Sequence, residues 1–265
     1  MPLNIAHRGA RGVAPENTLA AARKAREFGA DLWETDIAVT KDDELILFHD
    51  DSLARTTNAA AVYSGRAITP FTDFTLEELR RLDAGAWFAA ADPHGGVAAG
   101  EVSAAELKSY RGEKIPTLRE ALEFTAASRW KVNLEIKRQP ANKTDFPIVS
   151  RLLALVDEVG AGPETVLFSS GRHDWLEEIR RLRPEFEVQA LLGLFPEDPI
   201  AWRDKKFKTY NVRSTRITPA EVRTMTDAGR KVNLYTINEP AEMKAWAAAG
   251  AAVLITDFPQ RLKPA

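Results

Sequence analysis

Short apolar runs recur along this chain, and most are followed by a stretch with helical periodicity. The runs lie near 3–6, 32–36, 132–136, 165–168, 188–192, 209–212, 232–236 and 253–256, which makes eight strands separated by crossover segments. A strand joined to the next through a helix must pair in parallel. Eight such units predict an α/β protein with a TIM (β/α)8 barrel architecture. An open doubly wound sheet is the runner-up, but no glycine-rich dinucleotide fingerprint follows the first strand. The 265 residues could supply two small domains, yet they also fit one barrel spanning residues 1–265, which is the expectation. Lys131-Val132-Asn133-Leu134 recurs as Lys231-Val232-Asn233-Leu234, read here as two equivalent strands and not as a duplication.

Helix punctuation agrees with this alternation. Asn17 or Thr18 can cap a helix running to Phe28, with Ala21, Ala25 and Phe28 on one face and Gly29 as its stop. Thr117 with Glu120, and Thr218-Pro219-Ala220-Glu221, are capping boxes. They open helices at about 118–127 and from 219 towards Gly229; others are expected at 146–159, 174–182 and 239–249. A shorter unit should bridge 192 and 209. Residues from about 51 to 116 break the pattern. They carry two more capping boxes, at Thr75–Glu78 and Ser103–Glu106, and predict a small helical insertion after the second strand unit. Phe71, Phe74, Leu79, Leu82, Trp87 and Phe88 need burial, so this is not a disordered linker. Asp92-Pro93-His94-Gly95-Gly96 is expected as an exposed loop.

Composition excludes several functions. The formal net charge is −2, so no basic field points to nucleic acid. There are no cysteines, which removes disulfides, thiolate metal sites and cysteine nucleophiles. No apolar run approaches the roughly 20 residues of a membrane span, and Met1-Pro2-Leu3-Asn4 runs straight into the first strand. A soluble cytoplasmic protein without stable membrane insertion is expected.

The polar residues at the strand ends are less ordinary. The first strand delivers His7 and Arg8 into a loop relaxed by Gly9. Glu34 and Asp36 share one face of the second strand by its period of two. Lys41-Asp42-Asp43-Glu44 is too short for a parallel crossover, so Leu45-Ile46-Leu47-Phe48-His49 must return antiparallel. Counting outward from a four-residue turn pairs Thr40 with Leu45 and Asp36 with His49. The next parallel strand brings Glu135 and Lys137, again on one face. In such barrels the active site lies at the C-terminal ends of the strands. Three carboxylates against two fixed cations leave a deficit of positive charge that an anionic substrate would deepen. A hard divalent ion such as Mg²⁺, Ca²⁺ or Mn²⁺ restores it. His7 and His49 can give and take protons near neutral pH. Together these groups suit the cleavage of a phosphate ester.

The chain closely resembles the glycerophosphodiester phosphodiesterases. The resemblance is carried by His7-Arg8-Gly9, Pro15-Glu16-Asn17-Thr18, Gly29-Ala30-Asp31, Glu34-Thr35-Asp36 and His49-Asp50. It continues through Arg55-Thr56-Thr57-Asn58, Leu82-Asp83-Ala84-Gly85 with Trp87, Ile115-Pro116-Thr117-Leu118 and Glu135-Ile136-Lys137. Thr236-Ile237-Asn238 and Thr256-Asp257-Phe258-Pro259 complete it. The resemblance implies metal-dependent hydrolysis of glycerophosphodiesters to sn-glycerol 3-phosphate and an alcohol. His7 and His49 would be the acid/base pair. Glu34, Asp36 and Glu135 would hold one divalent cation, and Arg8 and Lys137 the phosphoryl oxygens. The residues leave open whether the substrate's own hydroxyl attacks first through a cyclic phosphate. They also leave open the oligomeric state. Ser169-Ser170-Gly171 departs from the family's frequent Ser-Phe, Tyr235 stands where a Trp is common, and 89–114 is longer than usual. Phe168 and Tyr235 are expected in the substrate wall. A sugar phosphodiester, a cyclic phosphate or a lysophospholipid is the alternative substrate. A non-catalytic phosphodiester-binding protein is the rival reading from another class. His94 and His173 are expected in surface roles, with His94 as a cap over the site if the insertion folds onto it.

Overall fold

A computed structural model of the chain describes residues 1–194 and 206–262. The strands are β1 (Leu3–Ala6), β2 (Leu32–Val39), β3 (Leu45–Leu47), β4 (Val132–Ile136), β5 (Val166–Ser170), β6 (Val188–Leu192), β7 (Thr209–Arg213), β8 (Lys231–Tyr235) and β9 (Val253–Thr256). Ile5 of β1 pairs with Leu32 on one side and with Ile255 on the other, so the sheet closes. Eight parallel strands form the barrel, and β3 lies antiparallel on β2 outside it. This is the expected TIM barrel.

The helices are α1 (Leu19–Glu27), α2 (Ala59–Val62), α3 (Leu76–Arg80), α4 (Ala86–Ala91), α5 (Ala104–Tyr110), α6 (Leu118–Ala127), α7 (Ile148–Val159), α8 (His173–Leu182), α9 (Pro219–Asp227) and α10 (Pro240–Ala248). All four capping boxes form, at Thr75, Ser103, Thr117 and Thr218. Thr18 alone caps α1, accepting from the Ala21 amide, which frees Asn17 for another task. The unit expected between 192 and 209 falls largely outside the described residues. No described helix is long and apolar enough to cross a membrane.

Two apolar layers hold the barrel. Trp33, Leu134, Phe168, Val212 and Leu234 join the core between strands and outer helices. Ile5, Leu32, Leu167, Val253 and Ile255 form a separate cluster. By the strand period they face inward and plug the barrel below the site. Between β3 and β4, the segment that carries α2 and α3 buries Phe71, Phe74, Leu79 and Leu82 against Ile46 and Phe48 of the hairpin return. Phe88 instead packs edge-on to Tyr110 in the main core, while Trp87 is half-buried.

The hairpin register differs from the expectation by one residue. Val39 pairs with Leu45 and Ile37 with Leu47, which sets Phe48 and not His49 opposite Asp36. The turn is the reason. Thr40 already pairs with Glu44, and Asp43 takes a left-handed φ of 67°. The loop therefore holds three residues, a type I turn closed by a left-handed one. The loop at 92–96 also differs. Gly96 is buried, and a Cβ there would lie 2.2 Å from the Gly12 carbonyl oxygen. Only a glycine lets this loop close down on the turn after β1.

Candidate active site

Each expected polar residue stands at the C-terminal end of the barrel, and the register explains why. Asp36 is level with Glu135 across β2 and β4, and Glu34 is level with Asn133. Carboxylate oxygens of Glu34, Asp36 and Glu135 lie within 4.8 Å of one another. Glu34 Oε2 accepts the Arg8 amide at 2.8 Å, while Oε1 is buried without a partner. Burial, then the charges of Asp36 and Glu135, raise the Glu34 carboxyl well above its ordinary range. Burial acts on Asp36 in the same direction, but Arg8 and His49 outweigh it and hold that carboxyl low. Such a repelling, oxygen-only trio is suited to a hard divalent cation.

Asn17 fixes the middle of this trio. Its Nδ2 donates to Asp36 Oδ2 at 2.8 Å, and its Oδ1 accepts from Thr35 Oγ1 and from the Asp36 amide. Asn17 does this from a left-handed φ of 54°, which asparagine tolerates better than most residues. Arg8 also has a φ of 54°. Its Nη1 donates to Glu16 at 2.8 Å, and its Nε lies 3.1 Å from Asp36 as an ion pair without hydrogen-bond alignment. Lys137 Nζ stands 3.2 Å from Glu135 and 3.8 Å from Asp36. Burial opposes its charge, but these two carboxylates win and its pKa is pushed up to about 12. Both expected phosphate clamps thus already serve the carboxylates while lining the cavity.

The two histidines are held alike. His7 Nδ1 lies 2.8 Å from Asp257, at the end of β9, and His49 Nδ1 lies 2.7 Å from Asp50. Both carboxyls sit below their ordinary range; burial opposes this, but the histidine hydrogen bonds and neighbouring arginines prevail. An ionised partner at Nδ1 calls for the Nδ1–H tautomer and leaves Nε2 free. His7 Nε2 is 4.0 Å from Glu34. Burial, then Arg11, pushes the His7 pKa down to about 3, so this ring is neutral near pH 7.

Residues 7–261 match the Glycerophosphoryl diester phosphodiesterase family. The chain belongs to this family. It is 32% identical to a glycerophosphodiester phosphodiesterase of Caldanaerobacter subterraneus subsp. tengcongensis, over 98% of this chain and 96% of that one. It is 30% identical to a mouse glycerophosphoinositol inositolphosphodiesterase over 89% of this chain, but spans only 42% of that relative's length. A phosphodiesterase of Oleispira antarctica, solved in complex with the product sn-glycerol-3-phosphate, superposes with a TM-score of 0.81 at 27% identity. That match covers 99% of this chain and 95% of the other.

Several residues of this family member escape a reading of strand ends. Asp257 was visible only as part of a matching motif, although it follows β9 as His7 follows β1, on neighbouring strands. Arg11 donates to Asp257 at 2.6 Å, and Asn238 donates to its other oxygen at 2.8 Å. Arg55 reaches from the insertion to Glu16 and Asp50, joining the Arg8 and His49 neighbourhoods. His94 is not a surface residue. It lies 3.6 Å from Asp257, with its ring edge-on to Phe258. His173 is half-buried, 3.0 Å from the Leu191 carbonyl. Tyr235 lines the cavity as expected. Phe168 does not. It is fully buried and packs on Phe186 in the core, because its parity on β5 turns it outward from the barrel while Ser169 turns in.

Proposed function

We propose that this protein hydrolyses glycerophosphodiesters to sn-glycerol 3-phosphate and an alcohol. The observation that carries the reading is the junction, in one cavity, of a three-carboxylate cluster with two histidines, each bonded through Nδ1 to a carboxylate. The family membership and the likeness to a phosphodiesterase solved with sn-glycerol-3-phosphate support the same substrate class.

Glu34, Asp36 and Glu135 hold one divalent cation, Mg²⁺ or Ca²⁺ with Mn²⁺ as a third choice. Bound there, it would supply Lewis-acid polarisation of the phosphoryl oxygens. The buried, unpartnered Glu34 Oε1 and the raised Glu34 pKa favour a cation among these carboxylates. Arg8 and Lys137 orient the phosphoryl group and offset charge growing on its oxygens. His7, held neutral, takes the proton from the attacking hydroxyl at Nε2. His49, acting in its doubly protonated form, gives its Nε2 proton to the departing alcohol oxygen, and exchange with water returns both rings to their starting forms. Asp257 and Asp50 keep both rings in the tautomer and orientation this exchange needs.

Replacing His7 or His49 by Ala separates this reading from a passive phosphodiester binder. Each variant should lose about 10²–10⁴-fold in kcat with substrate and metal saturating, the usual worth of a positioned acid or base. Undiminished turnover in either variant would overturn the assignment.

A further inference from the structure

The cavity at the strand ends has a volume of about 1190 Å³, above the usual roughly 300–1,000 Å³ of small-ligand sites. Its charge is unevenly distributed. The carboxylates that line it, Glu34, Asp50, Asp51 and Glu135, all lie on the side of β2 to β4. From Lys137 around the ends of β5 to β8, the described lining carries Lys137, Arg138, Arg172 and Arg213 and no carboxylate.

These cations are not equivalent. Lys137 belongs to the carboxylate cluster. Arg172 is committed to Asp174 through two hydrogen bonds, at 2.9 and 2.6 Å, and lies over Trp175. Arg138 and Arg213 have no carboxylate partner among the described residues. Arg213 is level with Tyr235 across β7 and β8, and the Tyr235 hydroxyl donates to the Leu192 carbonyl at 3.1 Å. The lining between them is small at Ser170, Gly171, Ser214 and Thr215 and apolar at Leu191 and Leu194. Opposite, Arg11 of the lining is tied to Asp257, with His94 packed beside it. A group leaving the phosphorus therefore has its room on the β5 to β8 side, against the guanidinium groups.

Resting on the phosphodiesterase reading above, we infer that the preferred leaving alcohol carries an anionic group of its own, a phosphate or a carboxylate, seated by Arg138 and Arg213. A guanidinium matches either anion with paired N–H donors. A choline or ethanolamine headgroup would meet like charge on this wall, with no carboxylate among the described lining residues to receive it. The reaction is ordinary hydrolysis: the phosphorus–alkoxide bond breaks, the alcohol oxygen takes a proton, and an oxygen of water ends on phosphorus. The second anion is a handle and stays unchanged.

The test compares kcat/KM, with one metal at fixed ionic strength, for four glycerophosphodiesters. Their alcohols are choline, glycerol, glycerol phosphate and glycolate. The expected result is a preference of about ten-fold or more for an anionic alcohol over glycerol, carried by KM and weakening with salt. Whichever anionic alcohol leads names the group. In the Arg138→Ala/Arg213→Ala double variant the anionic-to-glycerol ratio should collapse towards one, while Arg138→Lys/Arg213→Lys retains part of it. Equal kcat/KM across the panel, or a preference that survives the double alanine variant, would overturn the inference and leave the phosphodiesterase reading intact. No turnover of any of the four would overturn both.

Discussion

Two histidines with a carboxylate each give the site a built-in symmetry. Asp257 is set in place by Arg11 and Asn238, and Asp50 by Arg55. Asp50 lines the cavity beside His49, whereas Asp257 is not among the lining residues. The value of both carboxylates lies in the tautomer they impose. Asp257→Asn keeps the shape but can present an N–H to Nδ1 and so favour the wrong tautomer. The expected outcome is a loss of at least about 10²-fold in kcat with little change in KM, since an Asp→Asn change that leaves a catalytic histidine in the wrong tautomer costs up to about 10⁴-fold. Steady-state kinetics on folded protein checks it, and the pH profile of kcat should shift as well. A change in KM alone would place Asp257 in substrate binding. Asn17 shows how a residue's task can hide. In sequence it looks like a helix cap, and Thr18 takes that role, leaving Asn17 to hold Asp36.

The turn after β1 is the element on which the site is built. Gly9 has a φ of 79°, and a Cβ there would lie 2.6 Å from the Ala21 backbone carbon of α1. α1 can approach this closely because its buried face is Ala20, Ala21, Ala22 and Ala25. Gly9→Ala is therefore expected to cost at least about 2 kcal/mol, combining backbone strain with overpacking. Urea unfolding monitored by circular dichroism measures it; a loss under about 0.5 kcal/mol would contradict the packing argument. The strands and the helix caps were readable from sequence because they are local. Thr218-Pro219-Ala220-Glu221 carries its own cap chemistry, and Glu34 with Asp36 carries its own parity. The hairpin register is not legible in the sequence because it hinges on one left-handed residue, Asp43, that no apolar pattern marks. The sequence leaves the seat of His94 undecided because it depends on Gly96 meeting Gly12, residues 84 positions apart that only the closed fold brings together. One step of strand parity separates Phe168, turned into the core, from Ser169, turned into the cavity.

The whole molecule concentrates like charge at one end of a closed barrel, and this couples stability to cation binding. The Glu34 carboxyl has a folded pKa raised above its unfolded value near about 4.3. A raised carboxyl contributes its stability below the unfolded pKa and loses it as pH rises towards the folded one. With cations chelated, Glu34→Gln should thus melt higher than the parent chain at pH 7–8, with the gap closing towards pH 4. Calorimetry across that window checks the sign; a variant that melts lower throughout would contradict it. A cation that binds only the folded state stabilises it by about 2.7 kcal/mol at a hundred times its Kd, and the variant should forfeit most of that gain. The proposed joint action of these carboxylates, the two histidines and the cavity makes hydrolysis of a glycerophosphodiester depend on a divalent cation. The direct measurement is release of sn-glycerol 3-phosphate from a glycerophosphodiester by chelator-treated protein, before and after Mg²⁺, Ca²⁺ or Mn²⁺ is restored. Turnover should be lost on chelation and recovered with one of these ions; full turnover with the chelator still in excess would contradict the account.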